Sequence, residues 1–122
     1  MHNASVSADD ALLAARARIV HDLHARGFAD AVTVSIVEDA VVNRRWWVEE
    51  WPEGEAYVAG QLAQDVQEAL LDRGEGRWPL CTSCAADRGP HELHVTPDLG
   101  PDPVWVCEQT GAVSGPLGAL LR

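Results

Sequence analysis

All three cysteines of the chain, Cys81, Cys84 and Cys107, fall in one stretch that also holds two of its five histidines, His91 and His94. Cys81-Thr-Ser-Cys84 sets two thiols around a two-residue spacer. A tight turn at that spacing aims both sulfurs at one ion, as in zinc knuckles. Cys107 offers a third ligand and a histidine the fourth. Three cysteines in a reducing compartment are poor material for a disulfide framework and point instead to metal binding or catalysis.

The same residues admit other chemistries. A redox dithiol would make Cys81 the attacking thiol, which needs a depressed pKa from a helix N-terminus or nearby cations. Only Arg77 and Arg88 lie close in sequence. The run His91-Glu-Leu-His94 suggests a metalloprotease, but that motif spaces its histidines four apart on a helix. Here they are three apart and lead into Val-Thr-Pro, a strand-like context. The zinc deaminase pattern places H-x-E ahead of P-C-x-x-C, whereas here the cysteines come first. The strongest enzymatic version keeps zinc, frees His91 from it, lets water occupy the open position and uses Glu92 as base.

Strand pairing chooses between the histidines. If 91–96 and 103–107 form a hairpin around the loop 97–103, its centre falls near Leu99. His91 then lies opposite Cys107, and His94 opposite Val104, roughly 10 Å further along at about 3.3 Å per residue. The expected ligands are Cys81, Cys84, His91 and Cys107 around a structural zinc, with His94 as the substitute for His91. No catalytic residue is assigned. A structural zinc supplies on the order of 10 kcal/mol of folding free energy. That would matter in a tail with few large apolar side chains, where chelation should melt residues 78–118 first.

These residues need elements to position them. Ser7 followed by Asp10 resembles a capping box, so a helix is expected from Ala8, with Leu12, Ala15, Ile19 and Leu23 on one stripe and Gly27 as its stop. Val32, Val34 and Ile36 alternate with Thr33 and Ser35, which predicts a strand, and residues 41–51 predict a second. Glu55 to about Arg73 predicts a helix with Val58, Leu62, Val66, Ala69 and Leu70 inward. Six of the seven prolines lie beyond Arg77, which excludes long helices there. Short strands are expected near 91–96, 104–107 and 112–117. The fold class is therefore α+β: an α-β-β-α layer over 1–76 and a zinc-ribbon-like β-hairpin over 77–122, packed as one compact domain, with Trp78 and Trp105 docking the ribbon.

The stretch RRWWVEEW, residues 44–51, offers a stacking platform for single-stranded nucleic acid, but Glu49, Glu50, Glu53 and Glu55 would repel phosphate. The plainer reading is a core strand. Because Trp46 and Trp47 would face opposite sides, one of them lies outside the monomer core, which suggests a homodimer or a protein partner.

With 122 residues, 47% of them hydrophobic and 23% charged, the chain can bury one core. Its formal net charge is −10, with nine arginines and no lysine. That balance argues against sequence-independent nucleic-acid binding and against anionic membrane surfaces. No apolar run approaches the roughly 20 residues that span a bilayer, and the N-terminus lacks the basic start and apolar core of a secretion signal. A cytoplasmic protein is expected.

The segments RWPLCTSC, HEL, VWVC and GPLGAL, together with WWVEEW and YVAGQLAQDVQEALLD, resemble small uncharacterised actinobacterial proteins in which a Trp-Pro precedes a Cys-rich turn. The resemblance covers roughly residues 40–122. It points to Cys81, Cys84, His91 and Cys107 as the matching positions. In those proteins the Cys84 position can be His, which suits zinc and not a redox pair. The resemblance implies no activity. The leading functional expectation is a zinc-stabilised, non-catalytic interaction or adaptor protein. The rivals are a small zinc or thiol enzyme and a nucleic-acid-binding ribbon.

Overall fold

A computed structural model describes residues 4–84 and 89–122. Three helices lie against one another, and a small antiparallel sheet packs on them: α1 is Ala4–Ala25, α2 is Ala31–Glu50 and α3 is Val58–Asp72. The strands are β1, His94–Thr96, β2, Val104–Val106, and β3, Val113–Pro116, in the order β1-β2-β3. The mixed α+β class holds.

The stripe expected in α1 is the stripe observed. Leu12, Ala15, Ile19 and Leu23 are buried. The helix begins ahead of the predicted cap, at Ala4, so Ser7 lies inside it and its hydroxyl donates to Glu55 Oε2 at 2.5 Å. Gly27, at φ +73°, ends the helix in the left-handed conformation that glycine adopts without cost. The stripe of α3 also matches: Val58, Leu62, Val66 and Leu70 are buried, and Ala69 packs beside them.

The two predicted strands are one helix. Residues 31–50 form α2, which buries Thr33, Ile36, Val37, Ala40 and Val48. The alternation does not mark the core, since Val32 and Val42 are exposed and Val34 is half-buried while Ile36 and Val48 are buried. Their β-branching favours strands only weakly, and tertiary packing between α1 and α3 overrides it. A start signal was present. Asp30 Oδ1 accepts from the Thr33 amide at 2.9 Å, and Thr33 Oγ1 accepts from the Asp30 amide at 3.0 Å, a reciprocal cap.

Ion pairs hold α2 in place on both sides. Arg45 pairs with Asp9, and Arg16 with Glu38 at 2.5 Å, toward α1. Arg44 meets Asp65 of α3 at 2.5 and 2.9 Å, which raises the arginine pKa, and its guanidinium lies 5.2 Å from the Trp47 ring centre. Trp47 then packs edge-on to Trp51 at 5.3 Å. A short 3₁₀ turn, Pro52–Ala56, leads into α3.

The sheet docks through its inner face. Leu93, Val95, Trp105 and Cys107 are buried, at alternate positions along their segments. Trp78 and Trp105 are both fully buried and meet edge-to-face, 5.4 Å apart. They join the helix residues, with Leu117 and Leu120, in one core. The ribbon is therefore held by packing as well as by anything its cysteines bind.

Two buried polar residues complete the docking, and neither was legible in the sequence. The carboxylate of Asp22 on α1 accepts from Trp105 Nε1 (2.8 Å), the Gly118 amide (2.7 Å), the Leu120 amide (3.0 Å) and His21 Nδ1 (2.8 Å). Gln67 of α3 donates to the carbonyls of Trp78 (3.1 Å) and Leu93 (2.7 Å). No helix among the described residues is long and apolar enough to cross a membrane.

Candidate metal centre

Two turns bring the cysteines together. In the first, the Cys81 amide donates to the His91 carbonyl at 2.8 Å and the Leu93 amide to the Pro79 carbonyl at 2.7 Å. This antiparallel pairing around Leu80 and Glu92 sets the first cysteine beside His91. The chain then bends through Thr82 and Ser83 to Cys84. In the second turn, the Cys107 amide donates to Ala112 O at 2.9 Å and the Gly111 amide to Cys107 O at 2.7 Å. Gly111 has φ +78°, which closes that turn tightly behind the third sulfur.

The four expected ligands converge. Cys81 Sγ lies 3.5 Å from Cys84 Sγ, Cys84 Sγ lies 3.3 Å from Cys107 Sγ, and Cys107 Sγ lies 3.5 Å from His91 Nε2. All four donor atoms fall within 4.8 Å of one another. A tetrahedron with zinc–sulfur bonds of about 2.3 Å has edges of about 3.8 Å between sulfurs and about 3.6 Å to an imidazole nitrogen. The Cys81–Cys84 and Cys84–Cys107 sulfur pairs need to spread by a few tenths of an ångström, and the remaining donor pairs, all within 4.8 Å, lie near the size of such a tetrahedron.

His91 is oriented for this task. Its Nδ1 lies 3.0 Å from the carbonyl oxygen of Gly89, an acceptor, so Nδ1 carries the hydrogen. That leaves the Nε2 lone pair facing the sulfurs, the outer-shell arrangement usual for metal-bound histidine.

The electrostatics are those of thiols crowded around one point. Cys107 is held down to about 5, first by its hydrogen bond with Thr110, then by Cys84 and His91, against the opposing effect of burial. Cys84 is pushed up to about 11, first by Cys107, then by burial and Cys81. Cys81 is lowered, chiefly by the Ser83 hydroxyl 3.4 Å away. His91 is raised, chiefly by Cys107 and then by the Gly89 carbonyl. A cation at the centre replaces the protons that these groups share.

His94 lies elsewhere. The observed pairing is His94 with Val106, Val95 with Trp105 and Thr96 with Val104, two residues away from the predicted register. His94 is thus next to Cys107 along the ladder, not remote from it. It is excluded from the cluster by the alternation of faces: its Nε2 points toward Glu108, 3.6 Å away. Glu92 also stands apart from the four donors. It lines a cleft of about 240 Å³ together with His91, Arg77, His94 and Glu108, and its Oε2 is buried with no hydrogen-bond partner among the described residues. Arg77 lines the same cleft as His91 and Glu92, and Arg88 lies outside the described residues.

The fold and site define an α+β protein carrying a Cys₃His group within metal-binding distance. The chain belongs to the family described as a domain of unknown function, DUF8819, whose model matches residues 8–117. No curated protein and no solved structure matches it.

Proposed function

We propose that the protein is a zinc-stabilised, non-catalytic interaction scaffold. One observation carries this reading: Cys81, Cys84, His91 and Cys107 supply four donors to one point, and His91 Nδ1 is already committed to Gly89. Four protein ligands close a tetrahedral shell and leave no position for water or substrate. Three thiolates with one imidazole suit zinc among the common divalent ions. The burial of Cys107 supports a ligand role over nucleophilic chemistry, which needs an accessible thiolate. With the sheet packed on the helices, the centre fixes the two turns that flank the ribbon. The protein's remaining function then lies on its surface.

X-ray absorption at the zinc edge tests the reading. Three sulfurs and one nitrogen, with no oxygen, are expected in the first shell. A shell containing a water oxygen would replace the scaffold with the small zinc enzyme, with Glu92, which shares a cleft with His91, as its candidate base.

A further inference from the structure

A metal ion must reach its ligands before it can hold them. Cys107 is fully buried, whereas His91 is half-buried and lines the cleft of about 240 Å³ with Glu92, His94 and Glu108. Of the four candidate ligands only His91 lines that cleft. It belongs to both, and marks where the cleft meets the centre.

The other groups in the cleft are themselves zinc donors, carboxylate oxygen and imidazole nitrogen. His94 Nε2 and Glu108 Oε2 stand 3.6 Å apart, and the two side chains are 41% and 69% exposed. Glu92 brings a buried Oε2 with no hydrogen-bond partner among the described residues. A bare buried acceptor is costly, and a cation within reach relieves it. Glu92, His94 and Glu108 also line a second cleft, of about 340 Å³, in which Glu68 and Asp98 stand. Glu68 acts on Arg44 as well. The arginine that lines either cleft is Arg77, set against those carboxylates. A cleft in which one sign of charge prevails gathers counter-ions and raises on-rates by about 10–10³-fold.

His94 and the two glutamates cannot keep the ion. Among the described residues only Cys81, Cys84, His91 and Cys107 bring their donors within 4.8 Å of one another. Thiolates also select zinc where carboxylates suit harder ions. An ion caught in the cleft therefore moves downhill, past His91, to the sulfurs.

We propose that the cleft beside His91 is the route by which the metal enters and leaves the centre, with Glu92, His94 and Glu108 as its transient ligands. This rests on the zinc reading given above.

The test uses the full-length zinc-loaded protein. Excess isotopically enriched Zn²⁺ is added, and replacement of the bound ion is followed by native mass spectrometry. The exchange rate should rise with added zinc and level off as the transient ligands fill. Glu108→Gln and His94→Ala, at accessible positions, should each slow exchange about fivefold or more, as should the isosteric Glu92→Gln, with one zinc per chain retained. Arg77→Ala removes the opposing charge and should speed it. Glu50→Gln, on α2, should exchange as the parent does. Equal rates in all variants, or a rate independent of added zinc, would mean that the ion passes by Cys81 and Cys84 or leaves unaided, and would overturn the proposal. So would loss of the bound zinc in Glu108→Gln or His94→Ala, which would make that side chain a holder of the ion and not a step on its way. A parent without zinc removes the zinc reading and the route together. A tightly held zinc whose exchange ignores the cleft removes the route alone.

Discussion

Replacing Asp22 by Ala should detach the ribbon from α1. The parent carboxylate accepts from Trp105 Nε1, from the Gly118 and Leu120 amides and from His21. His21 is about half exposed, so water can replace its contact. The Trp105 indole and the Leu120 amide are buried and the Gly118 amide is partly buried, so alanine leaves them without acceptors. Each buried donor so orphaned costs about 1–3 kcal/mol, and some water will enter the vacated space, which gives a total of about 3–5 kcal/mol. That is a large share of the roughly 5–15 kcal/mol that stabilises a domain of this kind. Asp22→Asn keeps one acceptor oxygen but turns an NH₂ toward the remaining donors, and should cost about 2 kcal/mol. Equilibrium unfolding in urea, followed by tryptophan fluorescence with zinc held at saturation, measures both. An Asp22→Ala variant within about 0.5 kcal/mol of the parent would refute the claim that this carboxylate ties the ribbon down.

Gln67→Leu should cost about 1–3 kcal/mol, because it orphans the Trp78 and Leu93 carbonyls; the same urea titration reads it. Gly118→Ala should destabilise by about 1–2 kcal/mol. Its φ is +94° and a Cβ there would sit 2.7 Å from Arg18 Cγ and 3.2 Å from Arg18 Cα. His94→Ala should leave metal content unchanged, while His91→Ala should admit a water ligand, both read by zinc-edge absorption. Zinc affinity should rise with pH. Near neutrality Cys107, held at about 5, is already a thiolate, whereas Cys84, at about 11, must release its proton on binding. Calorimetry in buffers of different ionisation enthalpy should therefore show proton release at neutral pH, and affinity should fall as Cys107 protonates near pH 5.

The site was more legible than its support. Cysteine and histidine spacing pointed to the four side chains that the fold brings together, because few other residue types offer such donors and short turns set their separation. The stripes of α1 and α3 were legible because leucines and isoleucine at helical spacing have one consistent face. In α2 the inward positions include Thr33 and Ala40, while valines and a tryptophan point outward. Residue type therefore misreported burial, and only the Asp30–Thr33 cap carried the helical signal. Asp22 and Gln67 were hidden for another reason. The partners of the Asp22 carboxylate lie 83 to 98 residues away, apart from its neighbour His21, and those of Gln67 lie 11 and 26 away. No local pattern announces them. The ribbon's register also escaped by two residues, because the loop 97–103 does not turn symmetrically about Leu99.

The metal centre is tested most directly by weighing the protein as purified, under native conditions, beside its Cys107→Ser variant. The account predicts one tightly bound zinc per chain in the parent, and its loss in the variant with loosening of the turns around Cys81–Cys84 and residues 107–112. A parent protein that carries no metal and holds Cys81 and Cys84 as a reversible disulfide would contradict it.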